Sequence, residues 1–460
     1  MRRLPLVLLL VLVPLTAGAQ TRTADEQAFM EVFRELVEIN TTDSVGDNTR
    51  AAEAMAARLR AAGFPAADVQ VLVPHPRKGN LVARLRGTGA RKPLLLLAHL
   101  DVVEARREDW SFDPFKLLER DGYFYGRGTS DDKAMAAIFV DSLIRLKQAG
   151  FTPSRDLIVA LTADEELASP YNGVRWLLAH HRPLIEAELV LNEGGGGEIR
   201  GGRHLVHRVQ HSEKVPVSFT LEVTNRGGHS SRPTKDNAIY QLAEGLSRLA
   251  RFDFPARLDD STRLYFERSA ALYSGQRADD MRAVARVPPD PDALARLSAD
   301  ASYNAVLRTT CVATRLEGGH ATNALPQMAR AVVNCRMLPD HAADDVQRAL
   351  EQALASEHIT VRRINPPFHA PPSPLNADLM ARVERLTAEM WPGAIVVPSM
   401  GTGATDSRWL RAAGIPSYGV SGLFFSESRA HGRDERIGVR DLYAGRQFLH
   451  RLIQELATAP

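Results

Sequence analysis

The sequence is poor in cysteine, in aromatic residues and in long apolar runs. Its 460 residues include 2 cysteines, and 6% of them are aromatic. Two cysteines cannot build a zinc knuckle or a disulfide-rich scaffold. Beyond residues 1–19, no stretch is long and apolar enough to cross a membrane. We therefore expect neither a disulfide-stapled protein nor a membrane span in the mature form.

Charge of one sign is also lacking. The 57 basic and 55 acidic residues nearly balance, at a formal net charge of +2. A balanced chain has no electrostatic footprint for nucleic acid or for an anionic membrane surface, so we expect neither partner. The sequence has no internal repeat, and its composition is that of a globular protein. At this length two domains are expected.

The N-terminus has the pattern of a cleaved leader. Arg2 and Arg3 precede an apolar stretch over 4–15, and small residues follow at 17–19. This order is typical of a signal peptide that is cleaved after Ala19. The sequence therefore predicts a signal peptide over residues 1–19 and a secreted protein, which is periplasmic if the host is Gram-negative.

After the leader, predicted strands and helices alternate. The run 93–98 contains four consecutive leucines between turn residues, which is typical of a buried central strand. Further strands are predicted over 157–161 and 188–191, with helices between them. This order indicates an α/β domain with helices on the faces of its sheet. We expect this domain to cover residues 20–211 and to resume over 367–460.

The pattern changes between residues 212 and 366. Strands are predicted over 215–223, 312–316, 329–337 and 360–364, and helices over 237–249 and 344–354. The order βαββαβ indicates a ferredoxin-like domain inserted into the α/β domain. The polar segment 255–304 interrupts this unit and is predicted to be an extra, mostly helical insertion.

The two cysteines, Cys311 and Cys335, fall in predicted strands of the inserted domain. In an oxidising compartment they either form a disulfide or are two buried small hydrophobic residues. The residues alone leave both alternatives open.

Imidazole and carboxylate groups follow predicted strands or strand-like runs at His99, Asp131, Glu166, Glu193 and His431. Each alone has a structural alternative, such as a satisfied buried histidine, a helix N-cap or a solvated acidic loop. Sites in open α/β sheets gather at the carboxyl ends of strands, so we expect the five to meet. Two histidines and three carboxylates suit one or two zinc ions, with one carboxylate bridging.

The motifs around these residues resemble those of a known enzyme family. They are HLD (99–101), GRGTSDDK (126–133), TADEE (162–166), NEGG (192–195), GGHSSRP (227–233), GATDSR (403–408) and HGRDE (431–435). In this order they resemble the di-zinc exopeptidases that include aminoacylases, carboxypeptidase S, glutamate carboxypeptidases and succinyl-diaminopimelate desuccinylase. The resemblance covers about residues 25–455. It implies a zinc-exopeptidase catalytic domain with a mixed sheet, interrupted by a ferredoxin-like lid and dimerisation domain.

The resemblance also implies a metal centre. Two Zn²⁺ ions would be the cofactor, with Co²⁺ or Mn²⁺ as alternatives. One zinc would be held by His99 and Glu193, and the other by Glu166 and His431. Asp131 would bridge the two ions.

Further roles follow from the same resemblance. Asp101 would orient His99, and Glu165 would be the general base that takes a proton from the water attacking an amide carbonyl. His229 would stabilise the tetrahedral oxyanion, often from the partner subunit in relatives. The peptide bond between Asp131 and Asp132 would be cis.

Two positions match substrate contacts of the family. They are Asn323, in the motif ATNALP, and Arg336, in NCRMLPD. An arginine fork suits a carboxylate bidentately. The chain departs from the family at Asp132 and Ala134, which stand where an apolar residue and Gly are common. Asp132 adds a carboxylate close to the predicted site, and the insertion 255–304 bears on the surface where relatives dimerise.

The leading interpretation is a secreted zinc hydrolase that cleaves an amide bond beside a free carboxylate, as a carboxypeptidase or an N-acyl-amino-acid hydrolase does. Its substrates would be small peptides or N-acyl amino acids. Glu193 favours this interpretation, since aminopeptidase-like relatives more often have Asp there. The alternatives are a dipeptidase or aminopeptidase of the same family, and a silent metal- or peptide-binding protein, which the presence of Glu165 disfavours.

Overall fold

The structure is a computed structural model and describes residues 22–167 and 169–458. The predicted signal peptide, residues 1–19, lies outside the described residues. In the part of the chain that is described, no helix combines the length and the apolar character needed to cross a bilayer.

The strands are named in chain order. They are β1 (Val69–Leu72), β2 (Asn80–Leu85), β3 (Leu94–His99), β4 (Leu118–Arg120), β5 (Tyr123–Tyr125), β6 (Leu157–Thr162), β7 (Leu189–Asn192), β8 (Gly197–Arg200), β9 (Arg203–Glu213), β10 (Val215–Thr224), β11 (Gly228–His229), β12 (Thr310–Gly318), β13 (Ala324–Leu325), β14 (Met328–Met337), β15 (Thr360–Arg363), β16 (Ile395–Gly401), β17 (Ser417–Gly419), β18 (Phe424–Phe425) and β19 (Arg436–Gly438).

The α-helices are named in the same way. They are α1 (Ala24–Glu38), α2 (Asn48–Ala61), α3 (Lys133–Gln148), α4 (Gly173–His180), α5 (Arg182–Ile185), α6 (Ala238–Leu249), α7 (Asp260–Ser269), α8 (Gln276–Val284), α9 (Pro291–Ser298), α10 (Ala301–Leu307), α11 (Ala343–Leu354), α12 (Ala377–Met390), α13 (Ser407–Ala412) and α14 (Val439–Ala457).

The main sheet is mixed and has the strand order β1-β2-β6-β3-β7-β17-β9-β8-β18, and β16 pairs with β9. Every residue of β3 is buried, as the leucine run predicts. Successive side chains of a strand point to opposite faces. Accordingly, Leu94 and Leu96 pack into one hydrophobic cluster with α1, α3 and α14, while Leu95 and Leu97 pack into another with α4 and α13. The prediction of an α/β fold with helices on both faces is confirmed.

A second sheet, with the order β12-β14-β10-β15, is antiparallel throughout. Its strands and the helices α6 and α11 follow one another as βαββαβ, and side chains of both helices share its hydrophobic cluster. This is the strand order of a ferredoxin-like unit. Cys311 of β12 and Cys335 of β14 face each other in the register and form a disulfide. The first of the two alternatives for the cysteines therefore holds.

The segment predicted as a helical insertion contains α7, α8 and α9 and most of α10. It has a small hydrophobic cluster of its own, which includes Phe266, Met281 and Leu297. Helix α7 contacts β16, so the insertion packs against the edge of the main sheet as well as on itself.

The sequence did not predict β9, which spans 11 residues and carries three of the histidines without a motif. The three are His204, His207 and His211. His207 is fully buried, and its Nδ1 atom lies 2.8 Å from the Thr387 hydroxyl. His211 is buried and donates from Nδ1 to the carbonyl of Ser373, at 3.2 Å. Both contacts are structural.

Candidate active site

One group of candidate ligands lies at the carboxyl ends of two neighbouring parallel strands. His99 is the last residue of β3, Glu193 directly follows β7, and Asp131 comes from the loop before α3. The Nε2 atom of His99 lies 3.0 Å from Asp131 Oδ1 and 3.7 Å from Glu193 Oε2. We call these three residues the inner group. Its imidazole is deeply buried, with 2% of the side chain exposed.

A second group shares Asp131. The Nε2 atom of His431 lies 3.1 Å from Asp131 Oδ2 and 2.9 Å from Glu166 Oε1. Glu166 lies in the loop after β6, and His431 lies in the loop before β19. We call Asp131, Glu166 and His431 the outer group. In each group the possible ligand atoms lie within 4.8 Å of one another, and the two oxygens of Asp131 face different groups.

The inner group has the chemistry of a cation site. The Nδ1 atom of His99 lies 2.9 Å from the backbone carbonyl of Asp101. A carbonyl only accepts hydrogen bonds, so Nδ1 carries the proton when the ring is neutral and Nε2 presents its lone pair to the group. The Oε1 atom of Glu193 is buried without a hydrogen-bond partner among the described residues. A buried carboxylate oxygen needs a partner, and a divalent cation supplies one.

The electrostatics of the site point the same way. Burial raises the pKa of the Glu193 carboxyl to about 7. Burial, followed by the charge of Glu193, raises the pKa of Glu165 well above its usual range. Burial disfavours the charged form of His99, but the carboxylates around it, with Glu193 first, outweigh burial and raise its pKa. Hydrogen bonds to the outer-group carboxylates raise the pKa of His431 to about 10. The cluster therefore favours additional positive charge.

Asp101 contacts more than His99. Its carboxylate accepts hydrogen bonds from the backbone N–H groups of Glu165, at 3.1 Å, and Glu166, at 3.0 Å. The nearer carboxylate oxygen lies 3.6 Å from His99 Nδ1, so the imidazole is oriented mainly by the Asp101 carbonyl. Asp101 thus joins the strand that carries the inner histidine to the loop that carries the candidate general base.

Glu435 is a functional residue that our sequence analysis missed. Its side chain is fully buried. Its carboxylate accepts hydrogen bonds from the backbone N–H groups of Gly128 (3.0 Å), Ser130 (2.8 Å) and Asp131 (3.1 Å). It also pairs with Arg127 at 2.7 Å. Because three N–H groups of one loop converge on this carboxylate, Glu435 fixes the loop that presents Asp131. Its position in the motif HGRDE was the available signal.

Asp406, in the motif GATDSR, is a second residue to which the sequence assigned no role. It is buried, and its carboxylate accepts from the Asn172 side-chain amide at 2.6 Å and from the Thr162 hydroxyl at 3.2 Å. Burial raises its pKa to about 6. Thr162 ends β6 three residues before Glu165, so Asp406 anchors the other end of the same loop.

The bond between Asp131 and Asp132 is a cis peptide, as the family resemblance implies. Asp132 is itself buried, and burial raises the pKa of its carboxyl well above the usual range. Burial thus favours the neutral form of this carboxyl. The extra carboxylate expected from the sequence therefore adds a buried acid beside the site rather than a solvated negative charge.

The three remaining predicted residues lie in or beside the second sheet. His229 is in β11, and Asn323 directly precedes its partner strand β13. The carbonyl of Asn323 accepts from the N–H of Ser230 at 3.0 Å. His229 is exposed, and within the described ranges none of its hydrogen bonds reaches the inner or the outer group. Arg336 lies in β14. The structure therefore gathers the five candidate ligands and the candidate base, but not these three residues.

Histidines and carboxylates that meet around a buried glutamate at the strand ends of an α/β sheet are the arrangement of an amide-bond hydrolase. Residues 95–455 match the model of Peptidase family M20/M25/M40, and the chain belongs to this family. It is therefore a hydrolase that acts on amide bonds. The resemblance seen in the motifs is confirmed.

The relatives agree with this assignment. The chain is 30% identical over 406 residues to an N-fatty-acyl-amino acid synthase/hydrolase of Xenopus tropicalis, covering 86% of this chain and 79% of that protein. It is 25% identical over 444 residues to aminoacylase-1 of Pongo abelii, covering 95% and 97%. An M20 family metallo-carboxypeptidase from Sulfolobus solfataricus shares the fold, with a TM-score of 0.67 at 16% identity over 93% of this chain and 98% of that one.

Proposed function

We propose that this protein is a secreted, metal-dependent hydrolase that cleaves an amide bond next to a free carboxylate, as a carboxypeptidase or an N-acyl-amino-acid hydrolase does. The observation that supports it most is the pair of ligand groups that share Asp131 beside the loop of Glu165. The names of the two relatives, which describe N-acyl-amino-acid chemistry, favour the second type of substrate.

Two metal ions fit these groups. His99 and Glu193 would hold one ion, Glu166 and His431 would hold the other, and Asp131 would bridge them. Zinc suits nitrogen and carboxylate ligands of this kind. When bound, zinc supplies Lewis acidity, which polarises the scissile carbonyl and lowers the pKa of the attacking water.

Glu165 would move the proton. A carboxylate oxygen of Glu165 takes one proton from the water while the water oxygen bonds to the amide carbon. The same proton then passes to the leaving nitrogen as the C–N bond breaks, so that an acid and an amine are released. The backbone N–H of Glu165 donates to the Asp101 carboxylate at 3.1 Å, which holds the loop of this residue next to the inner histidine.

Arg336 would bind the free carboxylate of the substrate. It is half-buried and has no ion-pair partner among the described residues. Burial, followed by the charge of Arg408, lowers its pKa. Arg408 comes two residues after Asp406, which anchors the site loop. An anion would satisfy these cations, and a carboxylate matches their geometry.

His229 and Asn323 would reach the substrate only when the second sheet closes over the site, or from a partner subunit. An exposed edge strand favours a dimer: β12 is paired on one side, and Val312 and Leu316 are 61% and 68% exposed. The residues over 212–366 would then form the lid and the dimer contact. Sedimentation analysis that shows a monomer at micromolar concentration would rule out the dimer.

Secretion is supported by the leader pattern over residues 1–19 and by the Cys311–Cys335 disulfide, which an oxidising compartment maintains. Mass spectrometry of the exported protein should find Gln20 as its first residue.

The decisive experiment is a substrate panel with the zinc-loaded protein. N-acyl amino acids and dipeptides should be cleaved, while the same compounds with an amidated C-terminus should lose most of their kcat/KM. In the Arg336→Met variant, the preference for the free carboxylate over the amide should shrink by about 10–100-fold, since a charged hydrogen bond contributes 1.5–3 kcal/mol.

A matched control is Arg330→Met, because Arg330 lies on the same strand and pairs with Glu222. The preference of this variant for the free carboxylate over the amide should equal that of the wild type. Equal cleavage of free and amidated substrates by the wild type would contradict the proposal and favour an aminopeptidase.

A further inference from the structure

A buried ion pair lies behind the loop that carries the candidate base, and the chemistry described above does not use it. The Nζ atom of Lys78 lies 2.6 Å from Asp164 Oδ1 and 2.6 Å from Asp43 Oδ1. The side chains of Lys78 and Asp164 are 10% and 1% exposed, whereas that of Asp43 is 54% exposed. Lys78 therefore joins a fully buried carboxylate to one at the surface.

Asp164 is the second residue of the loop between β6 and α4, which we call the site loop. It stands between β6 and Glu165, and its φ of 61° lies in the left-handed region, which is unfavourable for most residues with a side chain. Its carbonyl accepts from the side-chain amide of Asn172 at 3.1 Å. The next two residues donate their N–H groups to Asp101. The backbone turn at Asp164 thus sets the positions of the next two residues, the candidate base Glu165 and the outer-group residue Glu166.

We propose that Lys78 is a positioning residue for hydrolysis, which acts through Asp164 on Glu165 and Glu166. This inference rests on the proposed function. The Asp164 carboxylate is buried, and Lys78 is its cation. If that cation is removed, the Asp164 carboxylate lowers its free energy by moving toward water, since a lone buried charge is strongly unfavourable. Asp164 cannot move without displacing the two glutamates that follow it.

The first test is Lys78→Met, which keeps the length of the side chain and removes its charge. The kcat should fall by about 10–100-fold, the range for residues that orient metal ligands, with a much smaller change in KM. One of the two zinc affinities, measured by competition with a chromophoric chelator, should fall by about 10–100-fold while the other stays at its wild-type value, because Glu166 belongs to the outer group alone.

Two matched variants accompany it. Lys92→Met removes the charge of an exposed lysine and should leave kcat and zinc affinity at wild-type values. Asp43→Asn removes the exposed partner of the same Nζ atom but keeps the buried pair, so it should stay within about three-fold of wild-type kcat, as expected for a screened surface ion pair. Lys78→Arg, which keeps the charge, should recover part of the lost kcat.

A double variant separates positioning from mere stability. Lys78→Met with Asp164→Asn leaves no lone buried charge, so its urea midpoint should return toward that of the wild type. Its kcat and the zinc affinity that Lys78→Met lowers should stay low, since no cation holds the side chain of residue 164 in either variant. Recovery of both along with stability, or a folded Lys78→Met protein with wild-type kcat and zinc affinity, would overturn the inference.

The zinc titration does not require turnover. If the wild type binds two zinc ions but cleaves none of the panel, the proposed function fails while the zinc affinities still test Lys78. If the wild type binds no zinc, both proposals fall.

Discussion

The inner and outer groups share one aspartate but differ in how the chain builds them. The inner histidine, His99, ends a fully buried strand, and its side chain is 2% exposed. The outer histidine, His431, lies on a loop at a φ of 62°, and its side chain is 56% exposed. The inner group is thus fixed by the sheet, whereas the outer group depends on loops held by hydrogen bonds. We expect the outer group to be the more easily perturbed.

The largest predicted effect comes from Glu165, which belongs to neither group. Glu165→Gln keeps the shape of the side chain but cannot accept a proton, so kcat should fall by about 10²–10⁴-fold. Zinc content, measured by mass spectrometry of the metal, should stay at the wild-type value, which would show that both groups form without the base. Retention of more than about a tenth of wild-type kcat would contradict the assignment of the base.

The two histidines test the comparison directly. His431→Ala should lose the outer zinc, keep the inner zinc and change the free energy of unfolding little, because the side chain is exposed. His99→Ala should lose the inner zinc and destabilise the zinc-free protein by about 3 kcal/mol, since it leaves buried carboxylates without their imidazole. Zinc content and urea unfolding of the chelated protein measure both effects. Equal destabilisation by the two variants would break the distinction.

His207 extends the comparison, because its imidazole is buried and its Nδ1 atom contacts a hydroxyl rather than a carboxylate. Burial lowers the pKa of His207 to about 3, below the ordinary 6.5. Between these two values the unfolded chain binds a proton that the folded protein does not bind. The contribution of His207 to stability is therefore complete above pH 6.5 and is lost as the pH falls toward 3. From pH 6.5 to pH 5 the loss should be about 2 kcal/mol.

His207→Phe is the matched variant, because the ring packs among Trp391, Phe424 and Phe448. The slope of the unfolding free energy against pH, measured in urea between pH 5 and 7, should be shallower in this variant than in the wild type. An unchanged slope would mean that His207 does not cause the pH dependence of the unfolding free energy.

The parts that the sequence predicted are those with local signals. The leucine run predicted β3, and the alternation of its buried side chains between two helical layers follows from strand geometry. The motifs predicted that His99, Glu193 and Glu166 would meet, because parallel strands end at one edge of a sheet. The disulfide was left open, since two neighbouring strands do not fix the distance between two side chains.

The parts that the sequence did not predict depend on contacts between distant residues. Lys78 is an ordinary charged residue by pattern, and the motifs that contain Glu435 and Asp406 do not reveal their contacts. Only the folded chain shows which groups these three residues contact. Strand β9 was missed because polar and charged residues interrupt its apolar pattern. His207 and His211 are buried by contacts with α12 and with the segment before it, which no local pattern contains.

The link between Glu435 and Asp131 spans 304 residues. A chain that is synthesised from its N-terminus delivers Asp131 long before the residue that holds its loop. His431, the last ligand, also arrives late. The nascent chain and any fragment that lacks its final thirty or so residues therefore cannot assemble the outer group. Along the sequence, the residues of the inner group are complete by Glu193, whereas those of the outer group are complete only at His431.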